Sequence, residues 1–259
     1  AACKIPRQIQ NRDELIGCTE VIALERGSTR KRIEWSFYHL SVMGFDKLFV
    51  YVNDIGGVSS ATSALSPLLE SGKVVIVDWS WPKKEADFME QAAAEMSCLH
   101  RRESSKWIAM FDIDEFFDVP TGKLKSWIEV EVNEGNATVL SIPRIEVGAP
   151  PRINAIEEDW ESTKKKTTIS RFRQSVPIRN TPKNIISGGS VVYHFIHRAT
   201  FLKYGRIRVV GPNSIGLIHF KSGLDIREDS IPEPRNISRH SITLENELTR
   251  IFGIQWKEF

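Results

Sequence analysis

Residues 105–120 read SKWIAMFDIDEFFDVP, and they indicate how the first half of the chain folds. The apolar run from Trp107 to Phe111 has the length and composition of a buried strand. Three carboxylates follow it, those of Asp112, Asp114 and Glu115. A buried strand that ends in acids brings them to the carboxyl edge of a sheet, where open α/β folds bind their ligands.

Asp112 and Asp114 have a spacing that suits a metal site. On an extended chain, side chains two residues apart point to the same side and lie about 6–7 Å from each other. Oxygen ligands of this kind favour a hard divalent ion, Mn²⁺ or Mg²⁺ rather than Zn²⁺, with positions left open for substrate phosphates. The alternative is that the two aspartates cap a turn or the next helix. The strand before them and the aromatic Phe116 and Phe117 after them favour the metal site.

Length and composition favour one large α/β domain. A chain of 259 residues that is 41% apolar can bury a substantial core. The net charge of +2 argues against a nucleic-acid partner bound through bulk charge. No apolar run approaches the ~18 residues of a membrane span, so we expect no span in this chain. Cys3, Cys18 and Cys98 lack the spacing of a zinc site, which leaves either one disulfide with a free thiol or three buried thiols.

Strand and helix patterns alternate along the first 120 residues. Strands are predicted over 15–24, 47–53, 73–78 and 107–111, and helices over 28–43, 61–69 and 84–102. The last of these helices is expected to turn an apolar face inward, formed by Met89, Ala92, Ala93, Met96 and Leu99. This alternation is typical of a mostly parallel sheet flanked by helices.

The pattern is looser after residue 120. It predicts a helix over 122–132, a strand over 138–143, and an irregular stretch over 144–170 with a short helix near 156–161. Strand-like segments follow within 190–196 and 206–220, and an amphipathic helix over 241–252 ends the chain.

Polar residues end the predicted strands, and the carboxyl ends of parallel strands meet at one edge of a sheet. We therefore expect one rim to contain Glu25, Asn53, Asp54, Asp78, Asp112 and Asp114. Of these, we expect Glu25, Asn53, Asp54 and Asp112 to contact a bound nucleotide. For Asn53 and Asp54 the alternative is an Asx turn before Gly56.

Five motifs occur in a fixed order: Glu34-Trp35 with Tyr38-His39, Tyr51-Val52-Asn53, Gln91, the run from Trp107 to Phe116, and His219-Phe220-Lys221-Ser222. Together they resemble glycosyltransferase family 92 and its relatives of the GT-A fold. The resemblance implies a GT-A-type, Rossmann-like and mostly parallel sheet flanked by helices, with a looser C-terminal acceptor-side region. We expect a single domain over 1–259, with a nucleotide-sugar-binding half at 14–120, an acceptor-side half at 121–222, and a C-terminal tail and helix at 223–259.

The resemblance also implies an activity. It implies a metal-dependent transferase that moves a hexose from a nucleotide diphosphate sugar, with a UDP-hexose such as UDP-galactose as the first choice, to a glycan acceptor with inversion. Asp112 and Asp114 would face Mn²⁺ or Mg²⁺, His219 would complete the metal site, and Lys221 would meet the diphosphate. For a eukaryotic protein we expect the Golgi lumen, with this chain as a trimmed catalytic domain, and otherwise the cytoplasm.

Glycosyl transfer also needs a base for the acceptor hydroxyl, usually a carboxylate. Glu158 and Asp159 lie in the irregular stretch where acceptor-side residues are expected, and Glu146 is the other candidate. His194 and His197 are rivals of His219 as ligands or acceptor contacts, with a structural role as the alternative for each.

Two other functions stay open. One is a module that binds a nucleotide sugar without transferring it. The other is a metal-dependent nucleotidyl or phosphoryl enzyme, which is disfavoured because the chain has no Gly-rich phosphate loop.

Overall fold

Four parallel strands form the N-terminal half of the sheet. The computed structural model describes residues 12–22, 28–53, 57–79, 87–120, 122–133, 136–148, 174–175, 179–221, 231–232 and 237–253. The four strands are β1 (Arg12–Ile22), β2 (Lys47–Asn53), β3 (Val74–Asp78) and β4 (Ser105–Met110). They lie in the order β4-β1-β2-β3, and each neighbouring pair is parallel, as the alternating pattern predicts.

Helices connect these strands and cover the sheet. They are α1 (Ser28–Phe37), which continues as a π-helical segment (Tyr38–Met43), then α2 (Gly57–Ala64), α3 (Ser66–Glu70), α4 (Asp87–Arg101), α5 (Leu124–Asn133), a 3₁₀ turn (Ile237–His240) and α6 (Ser241–Phe252). Gly44 ends the first helix at φ 82°, a left-handed conformation that suits glycine. The helix predicted over 61–69 is interrupted at Leu65, because Pro67 lacks an amide hydrogen and fits the first turn of a new helix.

The C-terminal half adds strands that pair mostly antiparallel. These are β5 (Glu115–Asp118), β6 (Val139–Gly148), β7 (Gln174–Ser175), β8 (Arg179–Ser187), β9 (Val191–Phe195), β10 (Arg198–Leu202), β11 (Ile207–Val209), β12 (Gly216–Lys221) and β13 (Ile231–Pro232). Strand β8 joins the two halves, since it is antiparallel to both β4 and β6. Strand β12 runs between β5 and β6, and β9 and β10 form a separate hairpin. Strands β11 and β12 run parallel to β6. The predicted α/β class is confirmed, and the antiparallel pairs concentrate in its C-terminal part.

Two local predictions were wrong because buried charged residues interrupt the apolar pattern. Residues 144–148 are not irregular but continue β6. Met89 is not inward, since 61% of it is exposed, whereas the acids Glu90 and Glu95 belong to the buried face of α4. The short helix expected near 156–161 lies outside the described residues.

The hydrophobic core occupies both faces of the sheet. Along β1, Leu15 faces the larger cluster, and Ile16 and Cys18 face the smaller one beneath α4. A disulfide joins Cys18 to Cys98 of α4, which decides between the two alternatives for these cysteines. Cys3 lies outside the described residues.

Within the described ranges, each helix is too short or too polar to span a membrane.

Candidate active site

The chain between β4 and β5 forms a tight turn that carries the carboxylates of Asp112, Asp114 and Glu115. The backbone N–H of Glu115 donates to the carbonyl of Asp112 at 3.1 Å. The backbone N–H of Asp112 in turn donates to Oε2 of Glu115 at 2.8 Å. Trp35 Nε1 donates to the carbonyls of both Asp112 and Glu115 at 3.0 Å. The turn is therefore held by its own hydrogen bonds and by a buried indole from α1.

The carboxylate of Asp112 is bound from two sides. Its Oδ1 accepts a hydrogen bond from Gln91 Nε2 of α4 at 2.8 Å and one from Lys183 Nζ of β8 at 2.7 Å. The side chain of Lys183 is fully buried, whereas 29% of the Asp112 side chain is exposed. Burial disfavours the charged form of Asp112, but the charge and hydrogen bond of Lys183 outweigh it and hold the pKa of that carboxyl below its usual value. Burial likewise disfavours the charge of Lys183, but the carboxylate of Asp112 outweighs burial and raises the lysine pKa.

Asp114 and His219 form a second pair beside the first. His219 lies on β12, and its Nε2 is 3.1 Å from Oδ2 of Asp114. The backbone N–H of Phe220 donates to the carbonyl of Asp114 at 2.9 Å, which fixes the turn against β12. Burial lowers the pKa of His219, but the hydrogen bond and charge of Asp114 outweigh it, so the pKa lies above its ordinary value.

A row of buried charged residues supports this pair across three strands. His219 is in register with Glu115 of β5 on one side and with Glu146 of β6 on the other. Arg144 lies at 3.4 Å from Glu115 Oε1 and at 3.0 Å from Glu146 Oε1, and both carboxylates are fully buried. Burial, and next the charge of Asp112, raise the pKa of Glu115 to about 7.

A polar chain extends from the site into the interior. Gln91 Nε2 lies 3.5 Å from Glu95 Oε1, and Glu95 Oε2 lies 2.9 Å from His194 Nδ1. The amide nitrogen of Asn184 is 3.0 Å from His194 Nε2. Because that amide donates, Nε2 accepts and Nδ1 carries the hydrogen that it donates to Glu95. His194 is fully buried in this chain, which corresponds to its structural alternative.

His197 has a different environment. Its Nδ1 lies 3.2 Å from the carbonyl of Pro182, the residue before Lys183. Burial, and next the charge of Lys183, lower the pKa of His197 to about 4. The ring is therefore neutral near neutral pH and donates to the carbonyl.

The predicted rim is partly realised. Asp112 and Asp114 lie together, whereas Asp78 lies on β3, which β1 and β2 separate from β4. Asn53 is buried, and its Nδ2 donates to Glu90 Oε2 at 2.5 Å, so its side chain contacts α4. Four predicted site residues lie outside the described ranges, and these are Glu25, Asp54, Glu158 and Asp159. Lys221 is described only by its backbone on β12.

The predicted metal ligands fit a divalent ion unequally. Asp114 offers the carboxylate oxygen that Mn²⁺ and Mg²⁺ prefer, and its Oδ2 lies 3.1 Å from Nε2 of His219, with which it is paired. Asp112 also offers a carboxylate, and its Oδ1 accepts hydrogen bonds from Lys183 and Gln91. Among the described residues, no three His, Cys, Asp or Glu side chains are arranged as a metal-binding cluster. The three-residue ligand set stays a prediction, and its two carboxylates are the part that fits the ligand preference of these ions.

The sequence patterns did not reveal Lys183 and Arg144 as site residues. Both are charged residues within strands, where they interrupt the apolar pattern that marks a strand. A usable signal is that Arg144 and Glu146 are two residues apart, which places opposite charges on the same face of a strand. For Lys183 the signal is a lysine that precedes the apolar Ile185 and Ile186 by one intervening residue.

Comparison with known proteins places these residues in a family. The model of Glycosyltransferase family 92 matches residues 33–252. The galactan beta-1,4-galactosyltransferase GALS1 of Arabidopsis thaliana is 25% identical over 241 residues, which cover 89% of this chain and 47% of GALS1. GALS2 of the same plant is 33% identical over 104 residues, which cover 39% of this chain and 20% of GALS2. The chain thus spans about half or less of the length of these curated relatives.

A solved structure was also found to be similar. The S. aureus TarS 1-349 structure in complex with UDP-GlcNAc has a TM-score of 0.48 and 9% sequence identity, and the match covers 91% of this chain and 66% of the solved chain. The family match runs from α1 to α6 and includes every site residue with a described side chain. The chain therefore belongs to glycosyltransferase family 92.

Proposed function

We propose that this chain is the catalytic region of an inverting hexosyltransferase that transfers galactose from UDP-galactose to a glycan acceptor. The observation that carries the proposal is the close placement of Asp112, Asp114 and His219 at the end of β4, in a chain of glycosyltransferase family 92. The choice of galactose is supported by the relatives GALS1 and GALS2, which are galactan beta-1,4-galactosyltransferases.

The leaving diphosphate must be neutralised as its bond to the sugar breaks. Asp114 and His219, with Asp112 beside them, would hold Mn²⁺ or Mg²⁺, which supplies positive charge to the diphosphate when bound. Lys221 follows His219 by two residues on β12, and we propose that it provides a second cation for the same group. Arg144 and Lys183 compensate the negative charge of the carboxylates from within the protein.

Transfer with inversion is a single displacement. The acceptor oxygen bonds to the anomeric carbon, the bond from that carbon to the diphosphate breaks, UDP leaves, and the acceptor proton goes to a base. We propose Glu158 or Asp159 as that base. Glu146, the third candidate, is fully buried, and its Oε1 lies 3.0 Å from Arg144, which suits a counter-ion better than a base.

The test is a thermal-shift screen of UDP- and GDP-sugars, with Mn²⁺, with Mg²⁺ and with EDTA, followed by an acceptor screen that measures UDP release and product mass. We expect UDP-galactose with a divalent ion to raise the melting temperature, because a ligand that binds only the native state stabilises it. EDTA should remove most of that shift. No shift with any combination, together with no transfer, would overturn the proposal.

The same screen separates the two other functions. Tight UDP-galactose binding with neither transfer nor slow donor hydrolysis would show a binding module. Release of phosphate or pyrophosphate in place of UDP would show a phosphoryl or nucleotidyl enzyme.

A further inference from the structure

Lys183 is a fully buried lysine on a strand in the interior of the sheet. Lysine is rarely buried to this degree unless it is paired, because its ammonium group loses its hydration. Strand β8 lies between β4 and β6, and its Asn184 is in register with Met110, the last residue of β4. Lys183 therefore stands beside the point where β4 ends and the acidic turn begins.

The charges around Lys183 identify its partner. Nζ lies 2.7 Å from Oδ1 of Asp112, while Glu115 and Glu95 attract it from further away. The charge of Lys183 also acts on His197, where it lowers the pKa of the ring. Asp112 is thus the carboxylate that Lys183 contacts directly.

Gln91 approaches the same oxygen from α4, on a different element. The oxygen thus accepts from a helix and from a strand, while the backbone of Asp112 is held by Glu115 and Trp35. This arrangement restricts the rotation of the Asp112 side chain, although 29% of that side chain is exposed.

We propose that Lys183 is a positioning residue of the donor site. With Gln91, it holds the Asp112 carboxylate in one orientation, ready for the nucleotide part of the donor. Lys183 itself has no exposed surface with which to contact the donor. The inference rests on the proposed function, because it assigns Asp112 to donor binding.

A purely structural role for Lys183 and a positioning role predict different effects when the lysine is removed. If Lys183 only stabilises the fold, its removal lowers the melting temperature and leaves the affinity of the folded protein for UDP unchanged. If it positions Asp112, its removal weakens UDP binding, and that effect disappears once Asp112 can no longer act as a carboxylate.

The experiment is a double-mutant cycle of Lys183→Met and Asp112→Asn, with UDP affinity measured by calorimetry in EDTA and again with Mn²⁺. We expect Lys183→Met to weaken UDP binding by about 10-fold to 100-fold, the range found when a residue that orients a metal ligand is lost. In the Asp112→Asn background the same substitution should change the affinity by less than about twofold, because the two effects are then coupled. Lys106→Met is the matched control, since Lys106 pairs with the exposed Asp13 and Glu129.

Melting temperatures provide a second readout. Lys183→Met leaves Asp112 without its buried counter-ion, and the double variant removes both charges, so the double variant should melt higher than Lys183→Met alone. Should Lys183→Met fail to fold, the decision passes to Asp112→Asn and the double variant, which the proposal expects to bind UDP equally well.

Three results would overturn the inference. Lys183→Met could bind UDP as the wild type does, or it could weaken binding equally in both backgrounds. If the wild type itself does not bind UDP, the proposed function fails and the inference fails with it.

Discussion

The side chains of the acidic turn are paired before any ligand arrives. Oδ2 of Asp114 and Nε2 of His219 are 3.1 Å apart, and Oδ1 of Asp112 is 2.7 Å from Lys183 Nζ. Glu115 shares Arg144 with Glu146. Paired charges tolerate burial, whereas an unpaired one is costly, so each acid here depends on a particular partner. Substitutions at this scale should therefore separate ligand binding from folding.

Asp114→Asn should abolish transfer while the protein still folds. The amide keeps the size of the side chain but loses the negative charge that a divalent ion requires. We expect kcat/KM to fall by about 100-fold or more, the effect of losing several kcal/mol of charge stabilisation. The measurement is a steady-state assay with circular dichroism as the check on folding. Glu103→Gln, at an exposed ion pair with Lys203, is the control, and wild-type activity in Asp114→Asn would contradict the assignment.

The base can be identified by replacing the three candidate carboxylates one at a time. Glu158→Gln or Asp159→Asn should lower kcat by about 10²- to 10⁴-fold, the range for a lost general base, with UDP affinity unchanged. Glu146→Gln should instead lower the melting temperature, because it removes a buried counter-ion of Arg144. A large loss of kcat in Glu146→Gln, without a change in melting temperature, would identify Glu146 as the base instead.

At the scale of elements, α1 and the π-helical segment after it hold the acidic turn between β4 and β5 by hydrogen bonds to its backbone and to the start of β5. Trp35 Nε1 donates to two carbonyls of the turn, and the Tyr38 hydroxyl donates to the carbonyl of Phe117 at 2.7 Å. The backbone N–H of Phe117 lies 3.5 Å from Nε2 of His39. The Glu-Trp and Tyr-His motif therefore binds the backbone of the acidic turn through Trp35 and the backbone of Phe117 through Tyr38 and His39.

Trp35→Phe should weaken both stability and UDP binding. The phenyl ring keeps much of the packing, but the buried Glu115 carbonyl and the partly buried Asp112 carbonyl lose a donor, which costs about 1–3 kcal/mol. Trp127→Phe is a matched control, because its Nε1 donates to Ser214 Oγ at 3.0 Å rather than to the turn. Urea unfolding and UDP titration should show a loss of stability in both variants and a loss of affinity in Trp35→Phe alone. Equal UDP affinities would contradict the supporting role of this helix.

His39 makes the stability of the same segment depend on pH. Burial lowers its pKa from 6.5 to about 3, so the native ring stays neutral while the unfolded chain takes up a proton below about pH 6.5. Because the unfolded state then binds more protons, stability is lost as the pH falls from about 6.5 towards 3, at about 1.4 kcal/mol per pH unit. Urea unfolding of the wild type and His39→Gln near pH 7 and near pH 5 should show a steeper pH dependence in the wild type. Parallel curves would contradict it.

The sequence predicts the elements before residue 120 well because their apolar periods are regular. Strand β2 and helix α6 have the predicted bounds, and β4 ends next to the acids as expected. The strands that the sequence patterns do not predict are those with buried charged residues, namely β8 and the second half of β6. The partner of Asp112 lies 71 residues away, and no local period indicates such a contact. The Asp114–His219 pair was reached through the family motifs, not through periodicity.

At the scale of the whole molecule, the C-terminal half completes a site that the N-terminal half begins. Strand β12 pairs with β5 and β6 and brings His219 to Asp114. The 3₁₀ turn places Arg239 against the buried Asp118 at the end of β5, and Phe252 of α6 contacts Phe37 of α1 at 5.5 Å between ring centroids. Residues far apart in sequence are therefore needed for one centre.

The Cys18–Cys98 disulfide should contribute measurably to the free energy of unfolding. It closes a loop with a sequence separation of 80, and in the chain-entropy view a loop of that size contributes about 4.5 kcal/mol. Denaturant unfolding with and without dithiothreitol should show a loss of that order, and Cys18→Ala with Cys98→Ala should show the same loss without the reductant. Intact protein that gains no mass on reduction would contradict the bond.

The Cys18–Cys98 disulfide between β1 and α4 also determines in which cellular compartments the protein can form its native bonds. Glutathione and thioredoxin keep thiols reduced in the cytosol, whereas the endoplasmic reticulum and the bacterial periplasm allow such bonds to form and persist. Protein made in a reducing host should carry two free thiols at these positions and melt lower than protein exported to an oxidising one. An exported preparation is accordingly the material in which to test the transfer reaction, and thiol titration of each batch would show which form was assayed.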